Sequence, residues 1–421
     1  MRDYVLMTDS CCDLTDYMAR ELELEVLPLT MHMDGQDYPN DLAGTAISNE
    51  EFYKRIRAGK LATTSAVNVG QFQDAMRRVL QSGKDIVCVC FSSALSTTYQ
   101  SAVIAADDLR SEFPEAEIHV VDSLSASLGQ GLLLYLAAQQ KKAGLTAAEL
   151  AKWVEENRLS ICHWFTVDDL NYLKMGGRVS ATTALVGTML SIKPIMHTSD
   201  EGKLVPVSKA RGRKAAINAL LDKIEALAIR PEEQTMFICH ADCELDARAV
   251  AQRIKDRFGT KTVYINYIGP VIGSHTGPNT MGIFFVGTQL DDQGQDQIQG
   301  AGHHDAAAGV AQLILGVHGG VHAAVQIGHG GKAAQKGEGG AQESGHLELR
   351  AHMEEQCADT GKEQGGLDAQ RQAVLPHQNG HQNGGTKHSE HVLQTQDEHL
   401  GQPESPGVAD RLIRIHVFSP F

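Results

Sequence analysis

The first 289 residues alternate short apolar runs with amphipathic stretches, and this alternation constrains the fold more than any other feature of the chain. The apolar runs predict strands, and the stretches between them indicate helices. Strands separated by helices are typical of βαβ units, which build a mostly parallel sheet with helices on both faces. The runs that predict strands are residues 4–7, 86–91, 118–121, 236–239, 262–267 and 282–286.

Two of the predicted helices carry a recognisable start signal. Ser48 stands three residues before Glu51, and Thr146 stands three residues before Glu149. This is the spacing of a capping box, in which the hydroxyl accepts from the third helical amide and the acid reaches back to the cap. A further helix is predicted over residues 131–144, with a glycine as its stop.

We place a domain boundary near residue 165, between a first domain of residues 1–165 and a second of residues 166–289. The second part begins with a short helix that Gly176 and Gly177 interrupt. Residues 197–216 then predict a hairpin that leads into a helix with a basic face.

The chain changes character near residue 289. Residues 290–421 contain 13 of the 19 histidines and 22 of the 41 glycines, but no Trp or Tyr. No helical or strand period runs through this tail, which buries too little apolar surface to offset its chain entropy, so we expect disorder. The same mixture arises when codons are read in a foreign frame, and a reading-frame artefact is an equally open origin of the tail.

Composition argues against several partners and locations. The net charge is −15 and no basic block occurs, which disfavours nucleic acid and an anionic membrane surface. No apolar stretch approaches about 18 residues, so stable membrane insertion is not expected, and the N-terminus lacks a signal-peptide pattern. The eight cysteines include no CxxC pair, which predicts free thiols, no metal and a cytoplasmic location.

Hydroxyl groups gather at the ends of the predicted strands. In an open parallel sheet, ligands lie beyond the carboxyl ends of the strands, so we expect four hydroxyl-rich loops to converge at one edge. For Ser10 and Ser123 the plain alternative is a helix cap. The four segments are Thr8-Asp9-Ser10, Thr63-Thr64-Ser65, Ser92 to Thr98 and Asp122-Ser123.

These hydroxyls suit an anionic group. Hydroxyls and helix N-terminal amides form a receptor for a carboxylate or a phosphate. The glycine-rich phosphate loops are missing, because residues 273–282 contain no Lys and no GxGxxG follows a strand. A carboxylate held by uncharged side chains is therefore favoured. His275 is a further candidate donor, with an ordinary loop residue as the alternative.

Eight segments carry a family resemblance. They are TDSCCDL (8–14), TTSAVNVGQF (63–72), SSALSTTYQSA (92–102), VDSLSASLGQG (121–131), LNYLKMGGRVS (170–180), KPI (193–195), ARGRKAA (210–216) and IGPVIGSHTGPNTMG (268–282). In this order they resemble the DegV family of fatty-acid-binding proteins, which includes the FakB subunits of bacterial fatty acid kinase. The resemblance implies a two-domain α/β fold: a parallel three-layer α/β/α N-terminal domain and a smaller mixed-sheet C-terminal domain that closes a lipid tunnel.

The resemblance also implies which residues bind the fatty-acid carboxylate. The positions that match, or adjoin a match, are Thr64, Ser65, Ser96, Thr97, Arg178 and His275. Arg211 matches a second basic site, where a phosphate or a partner protein is expected. Two departures stand out: Thr97 replaces a usual glycine, and Ala66-Val67 replaces a usual Gln-Pro.

The function that the resemblance implies is that of a carrier without catalytic activity. It binds a long-chain fatty acid and presents the carboxylate to a fatty acid kinase catalytic subunit, which makes the acyl phosphate for phospholipid synthesis. No cofactor besides the bound lipid is expected.

Two alternatives stay open. One is a serine-dependent acyl hydrolase or transferase, with Ser96 as nucleophile, His275 as base and Asp9 or Asp122 as orienter. The G-x-S-x-G elbow of such enzymes is absent around Ser96. The other is a lipid-sensing regulator, which the sequence does not distinguish from a carrier.

Overall fold

The computed structural model describes residues 2–180 and 191–288, which lie in one compact unit. The predicted tail, residues 290–421, lies outside the described residues. The boundary placed near residue 165 stays a prediction.

The described residues form mixed α/β structure. The strands are β1 Tyr4–Asp9, β2 Leu24–Leu27, β3 Thr30–Met33, β4 Gln36–Pro39, β5 Ala62–Ser65, β6 Asp85–Cys90, β7 Ile118–Asp122, β8 Ile161–Thr166, β9 Ile192–Thr198, β10 Leu204–Arg211, β11 Thr235–His240, β12 Thr262–Tyr267 and β13 Met281–Val286. The helices are α1 Asp16–Glu21, α2 Asn49–Arg57, α3 Val69–Gln81, α4 Thr98–Glu112, α5 Leu128–Lys142, α6 Ala147–Asn157, α7 Leu170–Met175, α8 Arg213–Leu227, α9 Glu244–Phe258 and α10 Pro270–Thr276.

Three sheets organise these elements. The first is fully parallel in the order β2-β1-β6-β7, and helices α3, α4 and α6 pack on it. The second is mixed, in the order β10-β9-β8-β13-β11-β12, with α8 and α9 against it. A small antiparallel sheet, β4-β3-β5, lies between β2 and α3 in the sequence. The predicted parallel first sheet and mixed second sheet are thus confirmed.

All six strands predicted from apolar runs are present, and the predicted hairpin is β9 with β10. The prediction missed the three strands of the small sheet, among others. Strand β4 of this sheet is exposed at three of its four residues. Such a strand has neither an apolar run nor a clear alternation, and only its pairing with β3 makes it a strand.

Helix α5 packs on the second sheet and reaches the first, where the Gln130 side-chain amide donates to the Thr8 hydroxyl of β1 at 2.9 Å. Its residues from Leu128 to Gln140 are all buried, and it contacts β8, β11 and β13. A helix that is apolar on every side belongs in the interior. The helix begins three residues before the predicted start and ends at Lys142, shortly before Gly144, whose φ of +100° ends the helix.

The two predicted capping boxes differ in outcome. At Thr146 the hydroxyl accepts from the Glu149 amide at 3.3 Å and the Thr146 amide donates to the Glu149 carboxylate at 2.8 Å, which confirms the box. At Ser48 only the first half forms, with a distance of 3.2 Å to the Glu51 amide. The prediction of a full box there was wrong, because the Glu51 carboxylate binds Arg55 instead.

Within the described ranges, no helix combines the length and the apolar character needed to cross a membrane.

Candidate functional site

A cavity of about 400 Å³ contains most of the predicted site residues. This volume lies within the range of small-molecule sites, roughly 300–1,000 Å³. Its polar lining residues are Thr64, Ser93, Ser96, Thr97, Arg178, His275 and Thr276. Its apolar lining residues are Leu29, Ala66, Phe91, Ala94, Leu95, Ala126, Leu173, Leu204, Val271 and Ile272.

The two kinds of lining residue differ in exposure. The larger apolar side chains, such as Phe91, Leu173 and Val271, are buried. Ser96 and Arg178 are partly exposed, and Thr97 is exposed. These three polar side chains therefore lie nearer to solvent than the three apolar ones, an arrangement that suits an amphipathic ligand.

The loop between β6 and α4 places Ser96. The Ser96 Oγ accepts from the Thr98 amide at 3.2 Å and lies 2.9 Å from the Thr98 hydroxyl. Thr97, at the N-cap position of α4, makes no side-chain capping bond and lines the cavity. The positive end of a 15-residue helix thus begins beside the Ser96 hydroxyl.

Strand β5 separates Thr64 from Ser65, because neighbouring side chains of a strand point to opposite faces. The Thr64 hydroxyl lies 2.8 Å from the His275 Nε2, on the cavity side. The Ser65 hydroxyl is exposed and lies 2.6 Å from the His32 Nε2. The structure therefore does not bring Ser65 into the cavity, contrary to the sequence prediction.

Arg178 follows α7 through a Schellman turn. The Gly177 amide donates to the Lys174 carbonyl at 3.0 Å, and the Arg178 amide donates to the Leu173 carbonyl at 2.9 Å. This turn needs a left-handed residue, and Gly177 supplies it with a φ of +71°. The turn directs the Arg178 side chain into the cavity.

The Arg178 guanidinium binds carbonyl oxygens there. Its Nε donates to the Leu95 carbonyl at 3.2 Å, and its Nη1 donates to the Gly176 carbonyl. Burial lowers the pKa of Arg178 from its ordinary value of 12.5, yet the group stays charged at neutral pH. No carboxylate within residues 2–180 and 191–288 forms an ion pair with it.

The sequence predicted a carboxylate held by uncharged side chains. The presence of this guanidinium in the cavity makes that prediction incomplete, because one donor carries a full charge. A cation that no carboxylate of the described residues neutralises attracts an anionic ligand more strongly than the hydroxyls alone.

His275 is neutral at physiological pH. Burial and, to a smaller extent, the nearby Arg178 charge lower its pKa from the ordinary value to about 4. A neutral imidazole both donates and accepts, and Thr64 occupies its Nε2.

The other strand-end polar groups serve the fold. The Ser10 hydroxyl accepts from the Leu29 amide at 3.0 Å and from the Asn40 amide group at 3.1 Å, and the Ser92 hydroxyl donates to the Gly202 carbonyl at 2.9 Å. The side chains of Ser10, Asn40 and Ser92 do not line the cavity.

The prediction of four converging hydroxyl loops was therefore wrong in part. Of the four predicted segments, only Thr64 and the loop after β6 contribute hydroxyls to the cavity lining, and Thr64 comes from a different sheet. The capping alternative was also wrong for Ser10 and Ser123. Asp9 caps the short turn Ser10–Cys12, and the Ser123 hydroxyl contacts the Ser125 carbonyl.

The contacts of Ser96 and His275 do not form the hydrolase arrangement. Ser96 binds Thr98 and His275 binds Thr64. The Asp9 carboxylate accepts from the Phe91 amide at 2.7 Å and the Cys11 amide at 3.0 Å, and Asp122 accepts from the Ser93 and Leu124 amides. Both candidate orienters are therefore engaged with backbone.

Arg211 lies at the exposed end of β10, where it pairs with Ile192, and outside the cavity lining. Its role in contacting a phosphate or a partner stays a prediction.

Asp13 is a residue that the sequence reasoning missed. Its buried carboxylate accepts from the Gly269 amide at 3.0 Å and from the Ser127 hydroxyl, so it ties the start of α10 to the loop before α5. Burial raises its pKa to about 7. Through these two bonds Asp13 supports α10, the helix that carries His275. The signal available in the sequence was an acid at the end of a hydroxyl-rich segment.

Several findings relate this geometry to known proteins. The DegV family model matches residues 4–288. A DegV domain-containing protein of Clostridium perfringens is 42% identical over 287 residues, which are 68% of this chain and 98% of that protein.

Solved structures show the same relation. A fatty-acid-binding DegV family protein from Thermus thermophilus is 30% identical, with a TM-score of 0.60 over 68% of this chain and 99% of that one. The Fatty Acid Kinase B3 protein of Streptococcus pneumoniae, solved with linoleic acid, is 19% identical, with a TM-score of 0.59 over 68% of this chain and 99% of that one. The latter is a likeness of fold.

Proposed function

The chain belongs to the DegV family, and on this premise we propose that it binds a long-chain fatty acid whose carboxylate contacts Thr64, Ser96, Arg178 and His275. The observation that carries the proposal is that one cavity combines these four donors with a buried apolar wall. A carboxylate needs the hydrogen-bond donors, and an acyl chain needs the apolar wall. The Thermus thermophilus relative, whose structure is described as fatty acid binding, supports the same ligand class.

The acyl chain supplies most of the affinity in this proposal. Each buried methylene contributes about 0.8 kcal/mol, so a long chain outweighs any single head-group contact. The head-group donors then decide which end of the ligand faces solvent and discriminate an acid from an alcohol or an ester.

We further propose that the protein is a carrier without catalytic activity, which presents the carboxylate to a fatty acid kinase. In that reaction a carboxylate oxygen attacks the γ-phosphorus of ATP on the kinase, and acyl phosphate and ADP are formed. The partial exposure of the polar cavity residues is consistent with access by a partner. The seven described free thiols suit a cytoplasmic location.

Native mass spectrometry of the gently purified protein tests the ligand. A bound species in the mass range of long-chain fatty acids supports the proposal, and protein that neither carries nor takes up such an acid contradicts it. A fluorophosphonate probe serves as the test for the hydrolase alternative, which requires labelling at Ser96.

The kinase step needs a separate assay. The loaded protein is mixed with a fatty acid kinase catalytic subunit and ATP, and acyl phosphate is trapped with hydroxylamine as the hydroxamate. Hydroxamate formation supports the carrier role. Binding of the fatty acid without any hydroxamate favours the lipid-sensing regulator instead.

A further inference from the structure

We propose that Gly176 is a positioning residue, which sets the His275 imidazole and the Arg178 guanidinium for the head group of the bound lipid. This inference rests on the proposed function, because it assigns a role within the same cavity. Gly176 itself contacts no ligand in this proposal and acts through His275 and Arg178.

The first contact is steric. A Cβ atom at position 176 would lie 2.3 Å from the His275 Nδ1 and 3.2 Å from its Cε1. The imidazole therefore packs directly against the Gly176 backbone. Its opposite edge is held by the Thr64 hydroxyl, 2.8 Å from Nε2. With one edge against Gly176 and the other against Thr64, the ring has no room for a methyl group without leaving its position.

The second contact is polar. The Gly176 carbonyl accepts from the Arg178 Nη1. This bond and the one from Nε to the Leu95 carbonyl fix the plane of the guanidinium. The same peptide unit therefore faces both the neutral and the charged donor of the cavity.

Backbone conformation does not explain a glycine here. Gly176 has φ −72° and ψ −10°, which an alanine adopts readily. Its neighbour Gly177 is the opposite case: its φ is +71°, which strains any other residue, and a Cβ there would meet nothing within 4 Å. One glycine of the pair provides space for the His275 ring, and the other provides a backbone angle.

This difference supplies a matched control. Gly176→Ala adds a methyl group against His275 without backbone strain, whereas Gly177→Ala strains the turn without touching the ring. The assay compares binding of palmitic acid with binding of 1-hexadecanol, which has the same chain but no carboxylate. The acid-to-alcohol affinity ratio reports on the head-group donors, and the melting temperature reports on the fold.

For Gly176→Ala we expect the acid-to-alcohol ratio to fall about tenfold or more, since a misplaced donor loses its hydrogen bond to a charged group. For Gly177→Ala we expect a lower melting temperature and a smaller fall in the ratio, because the strained turn shifts Arg178 and leaves the His275 ring in place. A Gly176→Ala variant that keeps the wild-type ratio overturns the inference. If the wild-type protein itself fails to prefer the acid, the proposed function fails first, and the two failures are thereby distinguished.

A double variant covers the case in which Gly176→Ala does not fold. Combining it with His275→Ala removes the ring that the methyl group meets. Recovery of the fold in the double variant supports the steric contact, and failure of the double variant overturns it. In a Gly176→Ala protein that folds, His275→Ala should lower the ratio less than it does in the wild type, and full additivity contradicts the inference.

Discussion

Replacement of Ser96 by alanine should affect both helix stability and head-group recognition, and a control variant distinguishes the two effects. In the free protein the Ser96 hydroxyl accepts from the Thr98 amide at 3.2 Å, so the variant loses a bond at the start of α4. Loss of such a hydrogen bond costs about 1 kcal/mol, which lowers the melting temperature of a domain of this size by roughly 2–4 °C. If Ser96 also donates to the carboxylate, the variant loses a bond to a charged group, about 1.5–3 kcal/mol or roughly a tenfold to hundredfold weaker affinity.

Ser48→Ala is the matched control. The Ser48 hydroxyl accepts from the Glu51 amide at the same distance, 3.2 Å, and does not line the cavity. Both variants should therefore melt earlier by a similar amount, while only Ser96→Ala binds palmitate more weakly in a calorimetric titration. Wild-type affinity in Ser96→Ala, or an equal loss in Ser48→Ala, would refute the reasoning.

Three further substitutions test other parts of the account. Arg178→Gln should weaken palmitate binding about tenfold to hundredfold, because it removes a charged donor, and should leave 1-hexadecanol binding nearly unchanged in the same titration. Thr64→Val removes the partner of the His275 Nε2, so the imidazole NMR signals of His275 should shift and the acid should bind more weakly; unchanged signals contradict the contact. Burial raises the pKa of Asp13 from 3.8 to about 7, so the folded state holds this proton more tightly than the unfolded chain. Ionisation of Asp13 therefore removes stability as the pH rises from about 4 to about 7, on the order of 4 kcal/mol, and denaturant melts should show Asp13→Asn gaining stability relative to the wild type between pH 4 and pH 8.

The central strands were predictable because they are apolar on both faces. Strand β6, with six buried residues, has an apolar signal that does not depend on its neighbours. Strand β4 has no such signal, since it is polar and stabilised by pairing with β3. Pairing of this kind depends on distant residues, and a single sequence does not reveal it.

The sequence indicated which residues lie in the candidate site better than it indicated how their side chains are arranged. Thr64 and His275 are 211 positions apart, and no local pattern indicates that their side chains lie 2.8 Å apart. The alternation that turns Ser65 away from the cavity follows from β5, a strand that the sequence did not predict. The His275 ring on α10 packs against Gly176 at the end of α7, and it needs the space that a glycine leaves there. This is a tertiary contact, which the spacing of residues in the sequence does not reveal.

The most direct test is the crystal structure of the protein with a bound long-chain fatty acid. We expect the carboxylate oxygens within hydrogen-bond distance of Ser96, Arg178 and the Thr64–His275 pair, with the chain running along Phe91, Leu173 and Val271. A carboxylate that points away from these donors, or a ligand bound elsewhere on the molecule, would contradict the account.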